Sequence, residues 1–232
     1  MESIINALNK AFGLIISLDR EVFSIVLLSF CVSLTAVLFS SLLSLPLSLL
    51  LALKKFSGNR FIVNTINSLM AVPAVAIGLL IYLLISRRGP LGALQLLYTP
   101  WAMIIAQALL ATPIITSLSF QTLRRVSSMV KETAVGLGAS GWQVVITLFK
   151  EARSSLIAAF IVGFARVIGE TGMTMMVGGN IKGATRVMTT AIALETMKGD
   201  FELAVALGII LLIVAFLLNI FLHTVQGFGH AR

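Results

Sequence analysis

The chain has 232 residues, 58% of them hydrophobic and 11% charged, with 17 Lys and Arg against nine Asp and Glu for a formal charge of +8. Its mean hydropathy of +1.04 excludes an ordinary soluble domain, which could not wrap so much apolar surface in one core. The stretches between apolar runs, about 30 residues at most, exclude an independent extramembrane catalytic fold. No run of four Lys or Arg exists, so the positive balance is not read as a nucleic-acid surface.

In chain order, Ile4, Ile5, Leu8, Phe12, Ile15 and Ile16 recur at helical spacing with Asn6, Asn9 and Lys10 elsewhere on the wheel, which predicts an interfacial helix over residues 1–20. It lacks a basic leader and a small-residue cleavage site, so a removed signal peptide is not expected. Uncharged runs follow at Val22–Leu53, Phe61–Ser86 and Gly89–Leu123, three spans within 22–123, each longer than the ~20 residues that cross a bilayer. A basic loop is expected over 124–153. A fourth apolar run, Ser154–Gly179, is interrupted by Arg166 and Glu170, and a fifth covers Leu203–Ala231, which places the last two spans within 154–228.

The expected architecture is a single all-α integral membrane domain over 1–232, with about five transmembrane helices, an interfacial helix and cytoplasmic coupling helices. Of five prolines, Pro46, Pro73 and Pro113 fall well inside predicted spans, where each frees a backbone carbonyl and bends the helix, while Pro90 and Pro100 stand near the start of the third. Cys31 is the single cysteine, and His223 and His230 have no clustered partners. Neither a disulfide nor a metal site is therefore expected, nor a resident cofactor.

Lys and Arg placement sets orientation. With 124–153 cytoplasmic, the N-terminus lies outside and the C-terminus inside. The inside set is Lys54, Lys55, Arg60, Arg124, Arg125, Lys131, Lys150, Arg153 and Arg232, against Lys10, Arg20, Arg87, Arg88, Lys182, Arg186 and Lys198 outside.

Two glycine patterns are decoys. Gly136 to Gly141 spells GxGxxG but lies between membrane spans and not in a βαβ unit, and Gly178 to Thr185 approaches a P-loop but has Ala184 where the phosphate-binding lysine belongs. An energy source is therefore expected in an ion gradient or in a separate protein.

The loop over 124–153 contains Glu132, Thr133 and Ala134, then Gly138, Ala139, Ser140, Gly141 and Trp142. This resembles the EAA loop of membrane subunits of type I ATP-binding-cassette importers. Small residues there let two short helices meet at Gly138 and seat in a groove on a partner, with Glu132 as a charged anchor. The family's pattern commonly continues to I-x-L-P, whereas Leu148, Phe149, Lys150 and Glu151 stand here.

Further on, Phe164-Ala165-Arg166-Val167-Ile168-Gly169-Glu170 and the following Gly178-Gly179-Asn180 resemble a segment of the molybdate, tungstate and sulfate permeases, and Thr189 to Phe201 is similar to the tungstate branch. The resemblance runs from about Leu34 to the C-terminus. It implies a prokaryotic cytoplasmic-membrane, multi-pass permease with no catalytic site of its own, acting as a homodimer with a cytoplasmic ATPase pair. An extracytoplasmic binding protein would deliver an oxyanion, most simply tungstate, with molybdate and sulfate as alternatives.

Arg166 and Glu170 are four apart and share a helix face, either as a structural ion pair or as lining of a wetted route. Thr112, Thr116, Ser117, Thr171, Thr174 and Asn180 are further candidates for that route, because a tetrahedral oxyanion accepts hydrogen bonds from neutral donors. The mixed charge of Lys182 to Lys198 suits a docking face for the binding protein. Two other classes compete. An ion-coupled carrier would rest on Arg166 and Glu170 alone, without an internal repeat, and a membrane-embedded enzyme would need a catalytic cluster that the spans do not supply.

Overall fold

The computed structural model describes residues 2–17, 19–54 and 56–230, with the side chains of 2–8, 128, 129, 131, 135 and 228–230 left aside. Met1, Lys55 and Arg232 lie outside the described residues, and of the predicted interfacial helix Ile4, Ile5, Asn6 and Leu8 have undescribed side chains. Among the described residues the chain is helical, with no strand: α1 Glu2–Ile16, α2 Arg20–Leu53, α3 Asn59–Leu69, α4 Ala74–Ile85, α5 Pro100–Gly136, α6 Gly141–Ile168, α7 Gly172–Gly178, α8 Met188–Lys198 and α9 Phe201–His230.

Three helices are long and apolar enough to cross a membrane alone, at Arg20–Leu53, Pro100–Ser127 and Phe201–Gly227. Two further candidate crossings are bent pairs. α3 and α4 meet at 97°, and α6 and α7 at 67°. Pro73 accounts for the first break, since it has no N–H to donate and disfavours helix at the residue before it; it caps α4 at φ −60°, ψ 129°.

α2 starts where the Asp19 carboxylate accepts from the backbone N–H groups of Glu21 and Val22, at 2.9 and 3.1 Å. Its buried face carries Ser29, Ser33, Ser40, Ser44 and Ser48, while Leu27, Leu34, Leu38, Leu42 and Leu43 point outward. This inverts the soluble pattern. Lipid is as apolar as leucine, so small and hydroxylated residues mark the face that packs on another helix. Here that helix is α5, where Ser44 donates to the Thr112 carbonyl and Thr112 donates to Ser40.

α5 is the centre of the bundle. It packs against α2, α3, α4, α6 and α7, whereas α9 lies at the edge on α1, α6 and α8. The run Gly89–Leu123, read as one span, makes a single 3-10 turn at Gly92–Leu94 and becomes α-helical only at Pro100. Before it, Leu91 folds back onto the Leu84 carbonyl and Gln95 and Tyr98 adopt positive φ. Pro100 suits a first helical position, and the Thr99 hydroxyl accepts from the Ala102 N–H at 3.4 Å. From there α5 runs without a break to Gly136. The two short helices expected between 124 and 153 are therefore the ends of two long ones, because residues 124–135 contain no Gly or Pro to stop α5.

Candidate functional site: a glycine elbow and a broken membrane helix

α5 ends and α6 begins within four residues. The Ala139 N–H reaches the Ala134 carbonyl at 2.9 Å across Gly138, which sits at φ +80°. That is the Schellman closure, in which a left-handed residue beyond the last turn lets the chain satisfy an otherwise open carbonyl. Ser140 then opens α6 with a capping box: its N–H donates to Gln143 Oε1 at 2.7 Å, and its Oγ accepts from the Gln143 N–H at 3.4 Å. A reversal fixed from both sides is a rigid elbow.

The elbow presents what a soluble loop would hide. Leu137 is 83% exposed and Trp142 72%. Glu132, Thr133, Ser140 and Gly141 are exposed beside them, with Ala134 and Ala139 half-buried. Between the two helix ends lies a groove of about 500 Å³ that includes Thr133, Ala134, Leu137, Ala139 and Glu151. Trp142 borders a second, of about 530 Å³, shared with Pro46 and Leu49 of α2.

The second candidate region is the break between α6 and α7. Arg166 Nη1 contacts Glu170 Oε2 at 2.9 Å, with the arginine side chain 42% exposed and the glutamate 12%. The Glu170 carbonyl is clasped from two sides, by the Thr174 hydroxyl at 2.9 Å and the Thr189 hydroxyl at 3.0 Å. Thr171 caps α7, half-buried. Asn180, at φ +51°, donates from Nδ2 to the Thr190 carbonyl at 3.1 Å, while its buried Oδ1 has no hydrogen-bond partner.

Arg166, Glu170, Thr171 and Thr174 thus gather at one break, with Asn180 tied to α8 beside Thr189. Thr112 belongs to the α2–α5 seam. Thr116 is buried without a partner for its hydroxyl, next to Ser117, which donates to Asn67 Oδ1 of α3 at 2.7 Å. Thr189 and Asn67 join these groups without having been singled out in the sequence. Their partners lie 19 and 50 residues away, and no spacing rule reaches so far.

α7 is seated by close backbone approach. A Cβ on Gly78 of α4 would stand 3.0 Å from Met173 Cα, so the two broken crossings touch where only a glycine fits.

The charges of 182–198, read as a docking face, are engaged within the chain. Lys182 meets Glu21 at 2.7 Å, Arg186 lies 3.4 Å from Glu195 and 3.7 Å from Glu21, and Lys198 meets Glu195 at 3.0 Å. Lys10 pairs with Glu202 nearby.

The chain is 41% identical over 226 residues to the tungstate uptake system permease protein TupB of Peptoclostridium acidaminophilum, covering 97% of this chain and 99% of that one. It is 38% identical over 172 residues to the TupB of Campylobacter jejuni, 74% and 72% of the two chains. The fold matches an inward-facing structure of the MetNI methionine ABC transporter with a TM-score of 0.70 at 16% identity, over 93% of this chain and 97% of that one. Residues 44–228 match the model of the binding-protein-dependent transport system inner membrane component, and the chain belongs to this family of multi-pass permeases.

Proposed function

We propose that the chain is the permease of a tungstate importer, working as a homodimer whose two elbows are gripped by a cytoplasmic ATPase pair. The observation that carries the cargo is the 41% identity, along 97% of the chain, to a protein named as a tungstate uptake permease. Selection among tungstate, molybdate and sulfate falls mainly on the extracytoplasmic binding protein, since the three anions share shape and charge. The elbow supports the energy coupling: its exposed Leu137 and Trp142 suit a groove on a partner, and its two caps let it move as one body with α5 and α6. Drawing the two elbows together would then turn the central route outward.

Arg166 supports a route between two copies. It stands 13 residues beyond Arg153, about 20 Å along α6 and so near mid-membrane. A guanidinium 42% open at that depth faces water or protein and not lipid. Glu170 neutralises it, so a divalent anion is drawn in without being trapped. In this reading Thr171, Thr174 and Asn180 border the route, and Thr112 and Thr116 set the helix packing behind it. The elbow side is the cytoplasm, with the N-terminus outside and the C-terminus inside.

The test is uptake of tungstate into vesicles holding this chain with its ATPase and binding protein. ATP-dependent accumulation that Arg166→Gln slows about tenfold or more is expected. Uptake that needs no ATPase, or an Arg166→Gln variant at the wild-type rate, overturns the reading.

A further inference from the structure

Trp142, Ile146, Phe149 and Arg153 fall four, three and four residues apart and so share one face of α6. Together with Pro46 and Leu49 of α2, that face encloses the groove of about 530 Å³ at the α2–α6 seam. Its floor is apolar and does not end at the groove. On α2 the row of Leu49 and Leu45 continues through Leu42 and Leu38, 71% and 54% exposed, and on α6 the row of Phe149 and Arg153 continues through Ile157, 46% exposed. These are lipid-facing positions of two membrane crossings, so the groove opens into the acyl layer.

The depth of the groove follows from the charges beside it. Arg153 closes the basic loop and Ser154 opens the next apolar run, which puts Arg153 at the membrane surface. Helical side chains lean toward the N-terminus, here the elbow, so Lys150 and Arg153 lay their stems along the groove wall and carry their charges outward to headgroup level. Both residues are exposed, and among the described residues neither has an ion-pair partner. Glu132 and Glu151 are the two acidic residues of 124–153, and Glu151 lines the other groove, between the ends of α5 and α6. α2 brings no counter-charge. Its uncharged run Val22–Leu53 is roughly 48 Å long against ~30 Å of hydrocarbon core, so its last turns keep apolar side chains where headgroups lie.

An apolar track into the bilayer beneath two cations has the chemistry of a phospholipid with a net negative headgroup. An inorganic anion would use the cations and leave the track empty. We infer that the α2–α6 groove seats an anionic phospholipid, with its phosphate on Lys150 and Arg153 beside the Trp142 indole and an acyl chain along Pro46, Phe149 and Leu42. Tryptophan settles at this level because its ring is apolar and its N–H is polar. The groove shares no lining residue with the one between α5 and α6, so a lipid here leaves Leu137 to a protein partner and holds the elbow to the membrane from the α2 side. The seat does not rest on the cargo.

The full chain carrying Trp101→Phe, which leaves Trp142 as its one tryptophan, would be reconstituted in phosphatidylcholine vesicles containing some phosphatidylglycerol. One lipid or the other would carry dibrominated acyl chains, which quench an indole they touch. Brominated phosphatidylglycerol should be preferred over brominated phosphatidylcholine at Trp142 by about tenfold or more, and Lys150→Gln and Arg153→Gln should each lower that preference about fivefold. Val145→Phe, which fills the groove without changing charge, should lower quenching by both lipids. Arg60→Gln removes an elbow-side charge outside the groove and should leave the preference as it is. Equal quenching by the two lipids overturns the seat. So does a preference that Arg60→Gln lowers as much as Arg153→Gln, since a general surface potential would then account for it, and so does an absence of quenching by either lipid, which would mean that a protein segment fills the groove. Should Lys150→Gln or Arg153→Gln fail to fold, Val145→Phe decides: unchanged quenching in that variant also overturns the proposal.

Discussion

The two ends of the molecule handle exposed chain in opposite ways. At the end where α2 begins, Glu21, Lys182, Arg186, Glu195 and Lys198 form one network, with the Arg186 and Glu195 side chains only 11% and 6% exposed. At the other end, Leu137 and Trp142 stand in the open around a glycine. The first end is closed by its own side chains. The second exposes large apolar groups on a rigid reversal, which is how a surface awaiting another protein is built. The contrast separates residues that hold the fold from residues that, in the function proposed above, transmit force.

Gly138→Val should show the largest effect. A β-branched residue at φ +80° is a backbone outlier, at about 1–2 kcal/mol, yet nothing lies within 4 Å of the added Cβ. The damage is then confined to the elbow. ATP-driven tungstate uptake should be lost and the ATPase should no longer co-purify, while the permease elutes and melts nearly as wild type. Uptake at the wild-type rate would break the comparison at its elbow end.

Arg186→Gln tests the other end and should do the reverse. Removing the buried guanidinium leaves Glu21 and Glu195 with only their exposed lysine partners, Lys182 and Lys198, a loss of about 1–3 kcal/mol that a thermal melt in detergent would register. Any remaining folded protein should still bind its ATPase. Gly78→Ala supplies a reference from the apolar interior. Its new methyl meets the Met173 backbone at 3.0 Å, which cannot swing away, so about 1–3 kcal/mol should be lost without any change in salt dependence.

How much of this could be read from the sequence depended on the range of the interaction. α2 was legible because 32 consecutive uncharged residues leave little alternative in a bilayer, and the elbow because Gly138 and Ser140 act on their immediate neighbours. Pro73 announced a bend in the second crossing but not its angle. Residues 89–99 read as membrane span because they are apolar, yet Gly89, Pro90 and Gly92 turn the chain back toward Leu84. The candidate route was half legible: Arg166 and Glu170 by their spacing of four, Thr189 not at all. Least legible was the charged end. Glu21 and Lys182 are 161 residues apart, and a charge run looks alike whether it faces water or pairs across the fold.

The smallest effect sharpens the contrast further, because it concerns an ion pair at the same closed end. Lys10 and Glu202 join α1 to α9, but their side chains are 64% and 43% exposed. The hydrogen bond to Glu202, then that carboxylate's charge, hold the Lys10 ammonium above its ordinary value of 10.5. A raised folded value gives a contribution fully present below 10.5 and lost only as pH rises through the higher folded one. Across about pH 6 to 9 the pair is therefore constant, and solvent screens it. Lys10→Ala should melt at the wild-type temperature throughout that range, in low salt and in about 0.5 M salt alike. The deficit of Arg186→Gln should persist in both, since a buried network is screened much less. If Lys10→Ala were as damaging as Arg186→Gln, burial would not be what separates the two sets of charges, and the closed end would owe its stability to charge number alone.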